Sequence, residues 1–319
     1  VCSLLIIAGA ALIFLSTYVF KDLTTQSMPV DPVELGINSS VVSDDKIKNI
    51  ALFGLDARNE SFEGRSDAIM IVSLDSRHNK IKLTSILRDS LVDIEGNGKD
   101  KITHAYVYGG YTLAVKTLNQ NYNLDITDYA TVNFYKMAEI VDAFGGTTVT
   151  ITDDERVEIN NNLDLLVFDD PYANVSDDDY IYESGEVTLN GNQAVAYSRI
   201  RNVGNDEERA VRQQNVIKGL ISSMKQMNPG DYVNMAKTIM GLCETSIGLS
   251  DITSLTPIIS GASIETLSIP DAAENAHSGE SDLGGWVWEY DLERAGQHID
   301  AFIKEDSSPY YNEYYGGNS

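Results

Sequence analysis

Short apolar runs alternate with amphipathic stretches along most of this chain. Residues 49–55, 68–74 and 81–86 are apolar, β-branched runs of strand length, and each ends next to charged residues. Residues 134–144 carry apolar side chains at helical spacing, and a Gly-Gly pair then separates them from a β-branched run over 147–151. Strands that alternate with helices in this way predict an α/β layered fold.

The remaining pattern is weaker but consistent with that fold. Residues 111–120 and 213–227 have helical patterns, and 129–133 and 264–269 have strand patterns. Two more helical stretches are expected between residues 230 and 305. The acidic segment 153–184 shows no clear period and is predicted to be a surface flap.

The two ends of the chain differ from the middle. Residues 1–20 contain no charge, and as a helix they would span about 30 Å, the thickness of one bilayer core. A signal peptide is the alternative, but no convincing cleavage site follows, so a retained transmembrane anchor is favoured. Residues 21–45 are predicted to be a polar linker, 46–305 the folded domain, and the Tyr-, Ser- and Gly-rich residues 306–319 a disordered tail.

Composition narrows the function. The net charge is −25, whereas nucleic-acid-binding proteins normally carry a basic face, so that class is not expected. The two cysteines, Cys2 and Cys243, do not indicate a disulfide framework, and the four histidines show no zinc-binding spacing. The acidic domain after the apolar run is compatible with an outward-facing position.

One basic cluster stands out in this acidic chain. Of its ten arginines, four fall within fourteen residues: Arg199, Arg201, Arg209 and Arg212. Guanidinium groups present planar donors that suit phosphate oxygens. Residues 199–201 are interpreted as part of a strand, which would place Arg199 and Arg201 on one strand edge. Arg209 and Arg212 are expected on a helix that Asn205 or Asp206 would cap.

A second charged cluster lies near the ends of the first three predicted strands. It combines carboxylates with arginines, in Asp56, Asp67, Arg58, Arg65 and Arg88. Carboxylates beside arginines suit a magnesium-bridged phosphate or pyrophosphate. The alternative for such residues is ordinary surface ion pairing, which is favoured for Glu207 and Glu208.

Six sequence blocks occur in a familiar order. They read GLDAR, RSDAIMIVSLD, LTSILRDS, KITHAYVYGG, DYATVNFYKMAEIVDAFGG and LNGNQAVAYSRIRNVGNDEERAVRQQ. In this order they closely resemble the LytR-CpsA-Psr family of bacterial envelope enzymes, and the resemblance covers about residues 47–225. The chain departs from the family pattern at Leu87, where a proline is usual, so the loop that holds Arg88 loses a conformational constraint.

The resemblance implies a fold and an activity. The fold would be a three-layer α/β arrangement, a mixed central β-sheet flanked by helices, preceded by one N-terminal transmembrane helix. The family transfers glycopolymers such as teichoic acid or capsular polysaccharide from a polyprenyl-pyrophosphate carrier to peptidoglycan, and a phosphodiester forms. An apolar groove takes the lipid tail, and the catalytic domain lies outside the cytoplasm on a single-pass anchor in the bacterial cell membrane.

The resemblance also implies roles for individual residues. Asp56 and Asp67 would hold Mg²⁺, or Mn²⁺ in its place, against the pyrophosphate. The catalytic residues would be Asp56, Asp67, Arg88, Arg199, Arg201 and Arg212. Supporting substrate contacts are expected from Arg58, Arg65, Asp89, Lys101, Arg209 and Gln213. The implied partners are the lipid-linked glycan, peptidoglycan and the membrane, without nucleic acid.

Two other functions remain open at this point. A metal-dependent pyrophosphatase could use the same site with water as the acceptor. A membrane-anchored regulator without catalysis would not need paired aspartates beside the arginines, which favours the two enzymes. The residue that removes the proton from the acceptor stays undetermined, with the aspartates as candidates.

Overall fold

A computed structural model describes residues 26–57, 62–169, 175–228, 231–248, 251, 261–281 and 284–316. The anchor predicted over residues 1–20 and the predicted site residue Arg58 lie outside the described residues. Within the described part of the chain, no helix combines the length and the apolar character that crossing a bilayer requires.

The described strands form one large mixed sheet and three small antiparallel pairs. In chain order they are β1 Ile47–Asp56, β2 Arg65–Asp75, β3 Lys80–Ile86, β4 Leu91–Ile94, β5 Gly98–Lys101, β6 Asp128–Asn133, β7 Thr147–Ile151, β8 Gly185–Leu189, β9 Glu244–Thr245, β10 Ser263–Ile269, β11 His277–Glu280 and β12 Trp286–Glu289. The large sheet has the order β10-β3-β2-β1-β6-β9, and the pairs are β4-β5, β7-β8 and β11-β12. Strands β1 and β6 are parallel, as are β3 and β10, whereas β2 runs antiparallel to β1 and β3.

The helices of the described residues pack around this sheet. They are α1 Thr103–Tyr122, α2 Phe134–Ala143, α3 Asp153–Asp169, α4 Gly191–Ser198, α5 Asp206–Gln226, α6 Tyr232–Leu242, α7 Leu292–Lys304 and α8 Tyr311–Tyr314. Helix α1 is interrupted at Gly109 and Gly110, and Gly110 has a φ of +62°, which glycine adopts without steric cost. Helix α5 begins at the N-cap Asn205, whose side chain accepts a hydrogen bond from the Glu208 amide, as the sequence predicts.

Alternation along β1 explains why helices cover both faces of the sheet. Ala51, Phe53 and Leu55 lie in one buried core together with residues of α1 and α7. Ile50 belongs to a different cluster, against which Ile217 of α5 packs. The predicted α/β fold with a mixed central sheet flanked by helices is therefore confirmed.

The acidic segment 153–184 was expected to be an irregular flap, and that prediction is wrong for α3. The Thr152 side chain accepts from the Glu155 amide at 3.2 Å, and Glu155 accepts from the Thr152 amide at 2.9 Å. This reciprocal capping box starts the helix, and acidic residues in its first turn suit the positive end of the helix dipole. Ile159 and Leu163, four residues apart, are fully buried and fix the helix against the core.

Both predicted domain boundaries also need correction. Leu35 of the proposed linker is 1% exposed, and its carbonyl accepts a hydrogen bond from the Asn119 side chain, so the packed structure begins before residue 46. At the other end, part of the predicted disordered tail is ordered. Tyr315 and Tyr314 pack on His298 of α7, at ring distances of 5.7 and 4.5 Å. Aromatic packing on this buried histidine gives a segment of loop-like composition a defined position.

Candidate active site

A cavity of about 610 Å³ opens at the edge of the sheet where β1 and β3 end and β2 begins. Because β1 and β3 both run antiparallel to β2, residues that follow β1 and β3 meet residues that start β2. The lining residues are Asp56, Arg65, Asp67, Arg88, Asp89, Lys101, Thr103, His104, Phe134, Asn162, Leu165, Ser198, Arg199, Arg201, Arg209, Gln213 and Gly284. Charged residues from distant parts of the sequence therefore converge on one space.

Asp67 lies at the centre of the charged network. It is 7% exposed, and its Oδ2 accepts from Arg88 Nη1 at 2.7 Å and from Arg201 Nη2 at 3.3 Å. Its backbone carbonyl accepts from Arg209 Nη2 at 3.1 Å. The other carboxylate oxygen, Oδ1, is buried and has no hydrogen-bond partner among the described residues. A buried carboxylate oxygen without a partner is costly unless a cation or a donor occupies the space beside it.

Asp89 connects two further cations of the cavity. Its Oδ2 accepts from Arg88 Nε at 3.2 Å, and its Oδ1 accepts from Lys101 Nζ at 2.7 Å. The Asp89 carbonyl accepts from the Trp288 amide at 2.9 Å, which ties this loop to β12. The loop is therefore held by several contacts even though Leu87 stands where the family pattern has proline.

The lining residues carry an excess of positive charge. Six are cationic, three are carboxylates, and the excess is three, within a chain of net charge −25. Neighbouring charges change the pKa values of Arg88 and Arg209 in opposite directions. Burial acts to lower the pKa of Arg88, but Asp67 and Asp89 outweigh it, and the pKa is raised overall. Burial lowers the pKa of Arg209, and the nearby Arg88 lowers it further. A bound anion would relieve this crowding of cations.

The structure brings together most of the predicted site residues. Of the predicted site residues that the structure describes, all line the cavity except Arg212. The expectation that Arg199 and Arg201 share a strand edge is wrong, because α4 ends at Ser198 and Arg199 caps it. Arg199 lies with its guanidinium 5.1 Å from the centre of the Phe134 ring, and Arg201 follows in the loop, with 59% of its side chain exposed.

Arg212 lies behind the cavity wall, contrary to the prediction that it grips the ligand. It is 3% exposed, and its Nε donates to Glu155 Oε1 of α3 at 2.8 Å. Its Nη2 donates to the Val203 carbonyl at 2.6 Å. Residues four apart share a helix face, so Arg209 and Gln213 both line the cavity while Arg212 turns towards α3. Arg212 therefore supports the loop that carries Arg201.

Several lining residues were not predicted from the sequence. They are Thr103, His104, Phe134, Asn162, Leu165, Ser198 and Gly284. Asn162 and Leu165 lie on α3, a helix that the apolar pattern does not predict. Thr103 is pinned beside Asp67, since its hydroxyl donates to the Ser66 carbonyl at 3.0 Å, and it places His104 at the wall. The THAYVYGG block itself was the available signal for His104.

A narrow apolar groove adjoins the charged cavity, with a volume of about 60 Å³. Its lining residues are Leu52, Gly54, Ala68, Met70, Val132, Asn133, Phe134, Met137, Val195, Ser198, Gln213, Val216 and Ile217. Phe134, Ser198 and Gln213 line both spaces. Helix α2 thus divides its apolar side chains: Phe134 and Met137 line the groove, whereas Ile140 and Val141 are buried in a core.

Comparisons with known proteins assign the chain to a family. A model of the LytR_cpsA_psr family matches residues 16–301. The chain belongs to the LytR-CpsA-Psr family.

Individual relatives add detail to the family assignment. The polyisoprenyl-teichoic acid–peptidoglycan teichoic acid transferase TagU of Enterococcus faecalis is 31% identical over 210 residues, which cover 64% of this chain and 63% of that protein. The chain thus matches less than two thirds of this relative. TagT bound to LIIa-WTA has a TM-score of 0.68 at 24% identity, covering 88% of this chain and 99% of TagT. TagT with bound octaprenyl pyrophosphate lipid has a TM-score of 0.64 at 23% identity, covering 88% and 99%. At these identities the two structures show that the fold is shared.

Proposed function

We propose that this LytR-CpsA-Psr protein transfers a glycopolymer from a polyprenyl-pyrophosphate carrier to peptidoglycan and forms a phosphodiester. The observation that carries the proposal is the shared wall between the cationic cavity and the apolar groove, formed by Phe134, Ser198 and Gln213. A ligand that fills both spaces needs an anionic head joined directly to an apolar chain. The name of the Enterococcus relative, a teichoic acid transferase, supports the same activity.

The cavity suits the anionic head of such a lipid. Arg88, Arg199, Arg201 and Arg209 offer guanidinium donors from different elements, and Lys101 adds an ammonium group. Phosphoryl transfer depends mainly on positioning and on stabilising charge at the phosphate oxygens. These side chains would hold the pyrophosphate from several sides. Arg65 and Gln213 also line the cavity and are proposed to support the same contacts.

The residues present fit a divalent cation. Asp67 Oδ1 is buried without a hydrogen-bond partner, and Asp56 lines the same cavity. Carboxylate and phosphate oxygens are the ligands that Mg²⁺ prefers, and Mn²⁺ accepts the same set. Asp56 and Asp67 would hold the ion, which when bound would neutralise part of the pyrophosphate charge.

An assay of the purified protein tests the proposal. Incubated with Mg²⁺, a lipid-linked glycan and peptidoglycan, it should release polyprenyl phosphate and join the glycan to peptidoglycan by a phosphodiester. EDTA should stop both products, and Mg²⁺ should restore them. Asp67→Asn should require more Mg²⁺ for half-maximal rate, whereas Asp231→Asn, outside the cavity, should not.

The products distinguish the competing activities. Free glycan phosphate without attachment to peptidoglycan would identify a pyrophosphatase and contradict the transfer proposal. Pyrophosphate binding without turnover would identify a binding module. Neither outcome would produce a metal-dependent phosphodiester, so that product decides the question.

We also propose that the protein is held in the cell membrane by residues 1–20, with its domain outside the cytoplasm. The proposal is supported by the uncharged run that precedes the acidic domain. External protease applied to intact cells should remove the domain. Full protection of residues 46–305 until the cells are lysed would contradict this orientation.

A further inference from the structure

His104 and Asp100 form a close pair at the wall of the cavity. His104 lies in the first turn of α1 and lines the cavity, and its Nδ1 is 2.9 Å from Asp100 Oδ2. The Tyr108 hydroxyl donates to the same oxygen at 2.6 Å, and the Lys101 amide donates to Asp100 Oδ1 at 2.7 Å. The carboxylate is thus held firmly from two sides and faces one nitrogen of the imidazole.

This arrangement selects one form of the ring. Burial acts to raise the pKa of the Asp100 carboxyl, but contacts with Tyr108 and His104 and the Lys101 amide outweigh it, and the pKa is lowered overall. His104 Nδ1 is buried and has no hydrogen bond of regular geometry among the described residues, so the ionised carboxylate 2.9 Å away acts on it by charge and favours the proton on that nitrogen. The lone pair of the neutral ring then lies on Nε2, for which the described residues offer no hydrogen-bond partner.

The carboxylates of the cavity are less suited to receive a proton. Asp67 Oδ2 is engaged by Arg88 and Arg201, and its Oδ1 is proposed to hold the metal together with Asp56. Both oxygens of Asp89 are engaged, one by Arg88 and one by Lys101. Among the described lining residues, His104 is the one imidazole, and imidazole is the side chain that ordinarily changes charge near neutral pH.

The neighbourhood of His104 is open to a large acceptor. Val107 and Tyr108, in the same interrupted segment of α1, are 53% and 47% exposed. Arg209 and Asp67, in contrast, are 6% and 7% exposed. The cavity is therefore buried at Arg209 and Asp67 and borders an exposed part of α1 beside His104, from which a polymeric hydroxyl compound could reach it.

We propose that His104 is the general base of the transfer, with Asp100 as its positioning residue; this inference rests on the proposed function. Nε2 removes the proton from an acceptor hydroxyl as the acceptor oxygen bonds to the phosphorus that carries the glycan. The bond from that phosphorus to the bridging oxygen breaks, and its electron pair leaves with the polyprenyl phosphate. The proton on His104 then passes to solvent or to the departing phosphate, which restores the neutral ring.

Two histidine variants test the inference. His104→Gln should lower kcat for glycan transfer by about 10²- to 10⁴-fold, the usual contribution of a positioned general base. Its affinity for octaprenyl pyrophosphate in the presence of Mg²⁺ should stay within about twofold of the unmodified protein, because the cationic interior is intact. The matched control is His277→Gln in β11, where 71% of the side chain is exposed and Glu289 lies 3.6 Å away. It should keep its activity.

Chemical rescue separates a base from a structural residue. In His104→Ala, added imidazole should restore a measurable part of kcat, and it should not affect an Arg88→Ala variant. Asp100→Asn should lower kcat less than His104→Gln, again with octaprenyl pyrophosphate affinity unchanged.

The outcomes distinguish this inference from the proposal on which it rests. Failure of the proposed function would appear in the unmodified protein, which would form no phosphodiester. Failure of the His104 assignment would appear as transfer by the unmodified protein and by His104→Gln at similar rates. Loss of octaprenyl pyrophosphate affinity in His104→Ala, without rescue by imidazole, would also overturn it, because the ring would then be a structural part of the phosphate site.

Discussion

Replacing Arg88 with alanine is expected to lower the rate of glycan transfer by about 10²- to 10³-fold, the loss typical of one preorganised charge-stabilising group. Arg88 bridges the two buried carboxylates of the cavity, at 2.7 Å to Asp67 and 3.2 Å to Asp89. Its loss removes a cation from the phosphate site and leaves Asp67 with Arg201 alone and Asp89 with Lys101 alone, so both carboxylates would repel the pyrophosphate more strongly. The measurement is kcat with a lipid-linked glycan and peptidoglycan.

Two matched variants show whether the charge or its geometry matters. Arg88→Lys keeps the charge but loses the planar fork that spans two carboxylates, so a large part of the loss should remain. Arg294→Ala removes a guanidinium outside the cavity, where it lies 3.7 Å from Glu313, and transfer should continue at the normal rate. An Arg88→Ala protein that melts normally and transfers glycan normally would contradict the role of the cavity as the phosphate site.

Replacing Arg212 with alanine is expected to act on stability first. The Arg212–Glu155 pair is buried, with 4% and 13% of the two side chains exposed, and the variant leaves Glu155 without its partner. Breaking a buried pair from one side costs about 3–5 kcal/mol in the free energy of unfolding. The Val203 and Ile200 carbonyls also lose their donor, so the loop that carries Arg201 should loosen. Urea denaturation measures the first effect.

A double variant distinguishes support from ligand contact. Arg212→Met with Glu155→Leu replaces the pair by apolar groups, and it should recover much of the stability that Arg212→Ala loses. If Arg212→Ala is instead as stable as the unmodified protein but no longer binds octaprenyl pyrophosphate, the guanidinium contacts the ligand directly. That result would restore the role predicted from the sequence.

The sheet and most of its helices could be predicted because their patterns are strong. The apolar side chains of β1 indicate a strand with both faces buried, and the apolar spacing of α2 indicates a helix with one buried side. Helix α3 could not be predicted from periodicity, since its acidic and amide residues resemble a loop and its anchors are few. The capping box of Thr152 and Glu155 was the one local sign of its start.

The candidate site shows a similar division. Motif order identified Asp56, Asp67, Arg88 and Arg209 as neighbours, because charged residues were expected at strand ends and on α5. It could not distinguish Arg209 from Arg212, since the facing of a helix depends on what packs against it. The spacing around His104 does not indicate a catalytic role. Its role depends on the Asp100 carboxylate, which the structure places 2.9 Å from Nδ1.

The wall shared by the cavity and the groove has a consequence for the order of product release. In the proposed reaction the glycan leaves with its acceptor, whereas the polyprenyl phosphate keeps both the apolar chain and a phosphate. That product would still contact the groove on one side of Phe134, Ser198 and Gln213 and the arginines of the cavity on the other side. The spent carrier should therefore depart last, and its dissociation could limit turnover, as product release does in many enzymes.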